Sequence, residues 1–446
     1  MARLLAYLSA SSGNTFPAID MLLELRRRGH EVHVRCRASD VDGYGALGLR
    51  AAAIDPLVEQ VEFDDWRGRS QVDSFMRMVG CYRECAKLEI PDLRQAIAEV
   101  NPDALIVDVN CFGAMFVAEA SRLPWAVYCP YPPPFRSDDV PPHGLGLRPA
   151  RGPLGKARDR IVRKFGDRQL APELARFNDL RTGLGLPAVR KFDDQFLKSD
   201  RFIAFTAEPY EYHRGDWPPQ VRLVGPGLWE PPAEPPAWLE AESRPIVLVT
   251  ASTAFQLDAR LIATALEALA GENLAVVATT AAQDPAQFDV PANARVEQFL
   301  PHGPILARAS CVVCHGGQGI TQRSLAAGVP VCVVPFSRDQ FDVARRVELT
   351  GAGVRLHHKR LNPERLRVAV RTAMLKRPGA ERIARAFKNA GGPPAAAQTV
   401  EELLTAPADT TPAGGRSRTD GRTTRIEAKP PWSARLRRPK RRRVMR

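Results

Sequence analysis

The sequence lacks any run of 18 apolar residues, which is about the length that a helix needs to cross a bilayer. Its first apolar run, residues 4–8, is too short for the hydrophobic region of a secretory signal. The eight cysteines show no regular spacing of the kind that marks a disulfide framework. These absences argue against membrane-spanning and disulfide-stapled classes, and they predict a protein of the reducing cytoplasm.

Short metal-binding patterns occur, but each stands alone. Cys311 and Cys314 form a single CxxC with no second pair, and in a strand their side chains would point to opposite faces. Asp40 and Asp42 form a DxD triplet, which arises easily by chance in a loop. The sequence therefore predicts no metal site. Six cysteines lie in or beside apolar runs and are predicted to be buried: Cys36, Cys111, Cys129, Cys311, Cys314 and Cys332.

The positive charge of the chain is concentrated at one end. Residues 411–446 hold 13 Lys and Arg and two acids, so they account for +11 of the formal net charge of +13. Residues 406–446 are rich in charge and poor in apolar side chains, which predicts a disordered basic tail. Such a tail could bind an anionic membrane surface. With Trp432 as its one aromatic residue, it offers little for specific nucleic-acid recognition.

Residues 311–340 carry the clearest structural pattern. The apolar residues 311–314 predict a strand, the glycines after them a turn, and the following segment a helix that stops at Gly328. A second apolar run, 331–334, predicts the next strand. Strand, turn, helix and strand in this order form half of a doubly wound α/β sheet.

The turn of this unit has the chemistry of an anion site. Its three glycines let backbone N–H groups at the helix start approach an anion closely, and the helix N-terminus is partly positive. These glycines are Gly316, Gly317 and Gly319. His315 can donate a hydrogen bond to the same anion, while Asp339 and Gln340 follow the second strand and suit hydroxyl groups. The pattern indicates a sugar diphosphate site, and the alternative is a tight turn that closes a helix onto a sheet.

The pattern HGGxG followed by AAGVPxxxxPxxxDQ, from His315 to Gln340, resembles the donor-site signature of the family-one glycosyltransferases. The resemblance covers most of residues 1–404 and is closest to the bacterial branch that glycosylates macrolides, glycopeptides and lipids. It implies the GT-B fold, in which two Rossmann-like α/β domains face a cleft. One local departure is Ile320, where the family usually has Ser or Thr, and Thr321 is the next candidate for a phosphate contact.

The resemblance also implies a reaction. The family moves a sugar from a nucleotide-sugar donor to a hydroxyl of a small lipophilic acceptor, a natural product or a lipid. The transfer inverts the anomeric centre and uses neither a metal nor a cofactor, since the nucleotide sugar is a co-substrate.

Composition and resemblance together divide the chain. We predict an acceptor-binding domain at 1–220, a Pro-rich linker at 221–244, a nucleotide-sugar-binding domain at 245–405 and the basic tail at 406–446. Residues 130–149 contain seven prolines, which exclude a helix or a central strand. This segment resembles the loop that shapes the acceptor pocket.

Three more residues take donor roles by the resemblance. Ser252 and Thr253 follow a predicted strand and would place hydroxyls on the diphosphate, although a helix N-cap is the alternative. Phe299 lies in a segment that resembles the nucleotide-base loop, and a core phenylalanine is the alternative.

The acceptor side departs most from the family. The first turn usually carries a catalytic His in the pattern GHxxP, where this chain reads Gly13-Asn14-Thr15-Phe16-Pro17. Asn14 is not basic, whereas Asp108 matches the Asp that orients the missing His. We expect Asp108 to assist the proton transfer. An acceptor acidic enough to react unaided comes second, and His143 of the Pro-rich loop third.

Other functions stay open at this point. The chain could be a binding protein that kept the nucleotide-sugar pocket and lost catalysis. It could also be a sugar-nucleotide epimerase or hydrolase on the same architecture, or an adaptor that acts through its tail.

Overall fold

The computed structural model describes residues 1–252, 259–281 and 283–405. The first of its two sheets has seven parallel strands in the order β3-β2-β1-β4-β5-β6-β7. These strands are β1 (Arg3–Tyr7), β2 (Glu31–Cys36), β3 (Arg50–Ala53), β4 (Ala104–Asp108), β5 (Trp125–Cys129), β6 (Arg201–Ala204) and β7 (Val221–Leu223). From β1 the chain adds β2 and β3 towards one edge of the sheet and then adds β4 to β7 towards the other edge, so the strand order reverses between β1 and β4.

The connections of the first sheet carry α1 (Ser12–Arg27), α2 (Val41–Ala46), α3 (Pro56–Glu59), α4 (Gln71–Val100), α5 (Phe112–Ser121) and α6 (Pro153–Gly183). Short 3₁₀ turns occupy Ala38–Asp40, Asp65–Arg67 and Phe192–Leu197.

The second sheet has six parallel strands in the order β10-β9-β8-β11-β12-β13. Its strands are β8 (Ile246–Thr250), β9 (Ala275–Thr279), β10 (Ala294–Glu297), β11 (Ala309–Cys314), β12 (Val331–Val333) and β13 (Gly353–Arg355). The helices of this half are α7 (Trp238–Ala241), α8 (Ala259–Leu269), α9 (His302–Leu306), α10 (Gln318–Ala326), α11 (Gln340–Leu349), α12 (Pro363–Met374), α13 (Arg377–Asn389) and α14 (Gly392–Thr405). Two 3₁₀ turns lie at Pro285–Gln287 and His358–Arg360.

The apolar runs of the sequence become the central strands. Every residue of β4, β5 and β8 is buried, because a parallel sheet covered by helices on both faces leaves no strand face in water. Each sheet has one hydrophobic core on each face. The fold predicted from the sequence, two parallel α/β sheets of GT-B type, is confirmed.

The last helix crosses back to the first sheet. Four side chains of α14, Ala396, Ala397, Val400 and Leu403, are buried in the same core as the residues of β1 and α1. Although α14 falls within the predicted segment 245–405, it therefore completes the core of the other half.

Three more predictions about the chain can be compared with the structure. Residues 130–152 contain no helix or strand, as their prolines predict. The linker predicted to start at residue 221 starts later, because residues 221–223 pair with β6 as the edge strand β7. The prolines just before this strand do not prevent the pairing, since they lie outside the ladder. The six cysteines predicted to be buried are buried free thiols.

A buried carboxyl group joins α4 to α5. Glu89 of α4 accepts a hydrogen bond from the N–H of Gly113 at 2.8 Å, at the start of α5. The helices approach so closely that a Cβ on Gly113 would lie 2.2 Å from the carbonyl oxygen of Ala86. Burial raises the pKa of Glu89 to about 8, against the hydrogen bonds that lower it.

We predict that this carboxyl group makes the folded state less stable as the pH rises from about 4.5 to 8. The pKa of Glu89 is higher in the folded state than in the unfolded chain, so protonation of this carboxyl group stabilises the folded state. This stabilisation is complete below the unfolded pKa and is lost as the pH rises through the folded pKa. At about 1.4 kcal/mol per pKa unit, the change can reach several kcal/mol. Glu89→Gln should flatten this dependence in urea unfolding, whereas Glu267→Gln on the exposed face of α8 should not. Equal pH dependence in wild type and Glu89→Gln would refute the assignment.

Candidate active site

The order of the second sheet reverses between the neighbouring strands β8 and β11. Thr250 at the end of β8 pairs with Cys314 at the end of β11, so Ser252 and His315 leave the same edge of the sheet. Both are buried, at 5% and 8% exposure. Reversal points of this kind open the crevice in which doubly wound sheets bind ligands. Thr253, the other predicted hydroxyl, lies outside the described residues.

The glycines after His315 are required by the backbone. Gly316 has φ +97°, and a Cβ there would lie 2.8 Å from Val333 Cγ1. At Gly317 a Cβ would lie 2.5 Å from His315 Nε2, because the imidazole ring rests against that residue. A Cβ on Gly319, in contrast, would meet no atom within 4 Å. The first two glycines therefore shape the turn, and the third faces open space at the start of α10.

The first turn of α10 presents backbone N–H groups that have no acceptor within the helix. Thr321, the predicted substitute for a phosphate-binding hydroxyl, does not add to them. It is fully buried, and its hydroxyl donates to the carbonyl oxygen of Gly317 at 2.8 Å. Thr321 closes the turn from inside. Its hydroxyl proton is used in the bond to Gly317 and cannot be donated to a phosphate, so the predicted phosphate contact of this hydroxyl is replaced by a structural role.

Asp339 and Gln340 form the other wall of this edge. The side-chain oxygen of Gln340 accepts hydrogen bonds from the N–H groups of Phe336 at 2.8 Å and Ser337 at 3.1 Å, which fixes the loop after β12. Burial raises the pKa of Asp339, and the nearby His143 opposes this rise. Asp339 is thus a partly buried carboxylate at the place where the sequence predicts sugar hydroxyls.

Phe299 follows β10 and is 63% exposed. This exposure argues against the core interpretation of the residue. A large aromatic side chain that is exposed at the carboxyl edge of the sheet can serve as a stacking surface for a planar ring.

The first sheet has its own reversal point, between β1 and β4. Asp108 ends β4 and is fully buried. One carboxylate oxygen accepts hydrogen bonds from the hydroxyls of Ser9 and Tyr128, each at 2.8 Å, and the other accepts from the N–H of Asn110 at 2.9 Å. Burial raises the pKa of Asp108, and these hydrogen bonds work against it. Ser9 is partly exposed, so the hydrogen bond from its hydroxyl links the buried carboxylate to a side chain that solvent reaches.

Asn14 lies in the first turn of α1 and is partly buried. It is not among the hydrogen-bond partners of Asp108 within the described residues. The structure thus brings Ser9 to Asp108 at the edge where the family pattern would place a histidine.

His143 lies on the Pro-rich loop, with its ring centroid 6.4 Å from that of Tyr131, whose hydroxyl donates to Asn110. Its Nδ1 is 3.4 Å from a carboxylate oxygen of Asp342 on α11. The same carboxylate accepts hydrogen bonds from the N–H groups of Gly144 and Gly146, both at 2.7 Å. The Pro-rich loop is therefore held by the second half of the protein, and His143 lies next to Asp339.

Two features show that both edges border one cleft. Arg338 donates two hydrogen bonds, of 2.8 and 2.7 Å, to the buried carboxylate of Asp65. Burial raises the pKa of Tyr82, and the charges of Asp108 and Asp339, from the two halves, add to the rise. Carboxylates at both reversal points therefore lie within electrostatic range of Tyr82.

Sequence reasoning missed several of these residues. Ser9, Tyr82, Tyr128 and Asp342 belong to no short motif, and chain distance hides their partners. A hydroxyl immediately after an apolar strand was the one available signal for Ser9.

The DxD triplet has a local structural role, since Asp40 accepts two hydrogen bonds from Arg37, each of 2.9 Å.

We predict that Gly316→Ala and Gly319→Ala separate the two roles of the glycines. Alanine at φ +97° costs about 1–2 kcal/mol before the contact with Val333 is counted, so Gly316→Ala should lower the melting temperature by several degrees. Gly319→Ala should leave it nearly unchanged, because the added methyl group meets open space. Differential scanning calorimetry checks both, and equal melting temperatures would contradict the described turn.

Residues 262–405 match the family described as "Erythromycin biosynthesis protein CIII-like, C-terminal domain". Over 397 residues the chain is 34% identical to 4'-demethylrebeccamycin synthase of Lentzea aerocolonigenes. This match covers 84% of the chain and 92% of the relative.

Solved structures agree on the fold. The calicheamicin glycosyltransferase CalG4 is similar with a TM-score of 0.69 at 22% identity, over 91% of this chain and 98% of that one. The glycosyltransferase VinC, solved in complex with DTDP, is similar with a TM-score of 0.63 at 22% identity, over 90% and 98%. Taken with the nearly full-length match to a named relative, these likenesses show that the chain belongs to the bacterial family-one glycosyltransferases and is a nucleotide-sugar-dependent enzyme of the natural-product and glycolipid type.

Proposed function

We propose that this enzyme transfers a sugar, with inversion at the anomeric carbon, from a nucleoside diphosphate sugar to a hydroxyl group of a small lipophilic acceptor. The observation that carries the proposal is the pair of reversal points on one cleft. One offers an anion-binding turn after His315, and the other a buried carboxylate behind Ser9. A single displacement between them places the attacking and departing groups on opposite sides of the anomeric carbon.

The donor half handles the leaving group. As the bond from the anomeric carbon to the diphosphate oxygen breaks, the electron pair moves onto the diphosphate. The N–H groups at the start of α10 and the His315 imidazole are fixed in advance near that developing charge, which is how preorganised dipoles lower a barrier. Ser252 would add a hydroxyl, and Asp339 and Gln340 would hold the sugar. We propose that this arrangement works without a metal or a cofactor.

The acceptor half removes a proton. In the proposed step the acceptor oxygen forms a bond to the anomeric carbon while its proton passes to Ser9 Oγ. The Ser9 proton passes at the same time to Asp108, 2.8 Å away. A raised pKa suits Asp108 for this task, because it brings the basicity of the carboxylate nearer to neutral pH. We propose that His143, which lies near Asp339 and Asp342, contacts the donor sugar.

The two substrates can be named by class. DTDP occupies VinC, so a thymidine diphosphate sugar is the first donor to test, and Phe299 is the proposed stacking surface for its base. The lipophilic acceptor is proposed from membership of the natural-product and glycolipid type of the family. The proposed membrane contact of the basic tail falls on residues 406–446, which lie outside the described residues.

We predict that two donor-side substitutions have different effects. His315→Ala should lower transfer by about tenfold or more, because a charge-assisted hydrogen bond to the leaving group is lost. Asp339→Ala should weaken binding of the sugar conjugate more than binding of thymidine diphosphate alone. Calorimetry with both ligands tests the binding effects. Turnover measured in the presence of EDTA tests the transfer effect and, at the same time, the proposal that no metal is needed. His213→Ala is the matched control, since that exposed histidine pairs with Glu208. A wild type that binds neither ligand would overturn the donor assignment.

We predict that the proton transfer depends on Asp108 and Ser9. Asp108→Asn should lower kcat/KM by roughly a hundredfold or more, within the ~10²–10⁴ range of general base catalysis. Ser9→Ala should lower kcat/KM to a similar extent. Activity of the wild type should rise as the pH increases through the raised pKa of Asp108, because the carboxylate form is the base. This rise of activity with pH should be absent in Asp108→Asn. His143→Ala should change the KM for the donor and leave kcat nearly intact.

Asn14→His tests whether the site tolerates the usual base, and it should gain rate if the imidazole reaches the acceptor. If the wild type transfers nothing across a broad acceptor panel while Asn14→His does, the protein is a degenerate nucleotide-sugar-binding protein. Donor turnover without any acceptor would instead indicate a hydrolase or an epimerase.

A further inference from the structure

The first half of α6 carries three large apolar side chains in water. Leu154 is 87% exposed, Ile161 69% and Phe165 54%. At about 100° per residue, these positions fall within about 40° of one another around the helix axis. They form a continuous line, which we call the α6 stripe (Leu154, Ile161 and Phe165).

The opposite face of the helix explains why the stripe points outward. Asp159, Arg163 and Asp167 lie about half a turn away from the stripe. The Arg163 guanidinium donates to the carbonyl oxygens of Ser137 and Val140 at 2.5 and 2.6 Å. Asp167 accepts from Arg136 at 2.8 Å. Polar contacts with the Pro-rich loop thus hold the inner face, and they leave the stripe uncovered.

Three cations border the stripe on one side. Arg160, Lys164 and Arg168 are exposed, and no carboxylate of the described residues lies within ion-pair distance of them. Asp159 and Asp167 lie on the opposite face of the helix and pair with Arg158 and Arg136. A row of apolar side chains beside a row of unpaired cations is the pattern of a helix that lies in the plane of an anionic membrane surface.

We propose that α6 docks the enzyme on an anionic lipid bilayer, with the α6 stripe inserted among the acyl chains and Arg160, Lys164 and Arg168 at the phosphate level. The contact is peripheral, since no described helix is long and apolar enough to cross a membrane. It is separate from the basic tail. The inner face of α6 contacts the Pro-rich loop, whose other side is held by Asp342 at the donor sugar site. A lipophilic acceptor dissolved in the bilayer would therefore meet the loop that borders the cleft.

The test is sedimentation of the full-length protein with vesicles of phosphatidylcholine, with and without phosphatidylglycerol. Leu154→Gln/Ile161→Gln/Phe165→Gln should weaken binding to the anionic vesicles at least about tenfold, by loss of apolar burial. The matched control is Val290→Gln/Val368→Gln/Leu375→Gln, which removes exposed apolar side chains from the other half and should bind like wild type. Arg160→Gln/Lys164→Gln/Arg168→Gln should also weaken binding to anionic vesicles about tenfold or more, and it should leave binding to vesicles without anionic lipid unchanged. All variants should keep transfer to a water-soluble acceptor, because the stripe is outside the catalytic site.

A truncation after Thr405 separates α6 from the tail. It should lose part of the salt-sensitive binding and keep the part that depends on the stripe and on Arg160, Lys164 and Arg168. If truncation abolishes vesicle binding and the stripe variant binds like wild type, the tail alone is responsible and the proposal fails. If the stripe variant instead abolishes a concentration-dependent dimer in sedimentation velocity, a second copy of the chain covers this face and the proposal also fails.

Discussion

A buried ion pair between the two halves is the interaction on which the active-site geometry depends. Glu211, in the connection between β6 and β7, accepts hydrogen bonds of 3.0 and 2.6 Å from Arg346 of α11, and both side chains are almost inaccessible to water. Glu211 also lies 3.5 Å from the buried guanidinium of Arg214, so removing Glu211 would leave two buried cations without their carboxylate, and breaking a buried pair in this way typically costs about 3–5 kcal/mol. Because α11 begins at Gln340 and carries Asp342 in its first turn, this pair positions the proposed sugar-binding edge and the contact with the Pro-rich loop together. The hydrogen bond from Tyr210 to Gln318 at 2.9 Å connects the same segment to the start of α10.

Each half contributes a different kind of chemistry because each sheet reverses its strand order once. In the second sheet the reversal is lined by a glycine turn and a helix N-terminus, which suit the charge of a departing diphosphate. In the first sheet it is lined by Ser9 and Asp108, which suit the movement of a proton. The usual histidine is absent, and the proposed relay through Ser9 is a replacement in which the carboxylate stays buried and a small hydroxyl reaches the substrate. Burial raises the pKa of Asp108, so the environment that hides the base also strengthens it.

The Pro-rich loop connects these events to the surface of the molecule. Asp342 binds two of its N–H groups from one side, and Arg163 of α6 binds two of its carbonyl oxygens from the other. Proline removes backbone donors and restricts the chain, so a loop of this composition depends on such outside contacts for its shape. The proposed acceptor pocket, the proposed donor sugar site and the proposed membrane-facing stripe thereby share one structural element.

The sequence by itself determined the family, the two parallel sheets and the donor turn, because these depend on local patterns. Apolar runs became central strands, and Gly316 was recognisable since only glycine fits a turn with positive φ beside a packed strand. Tertiary structure decided the rest. Thr321 turned inward because its hydroxyl found the Gly317 carbonyl one turn earlier, and β7 formed inside the predicted linker because the edge of β6 was free to pair. Ser9 met Asp108 across 99 positions of the chain, and His143 came close to Asp339 because Asp342 holds its loop. Contacts between residues so far apart follow from the packing of the sheets and helices, and no short stretch of sequence encodes them.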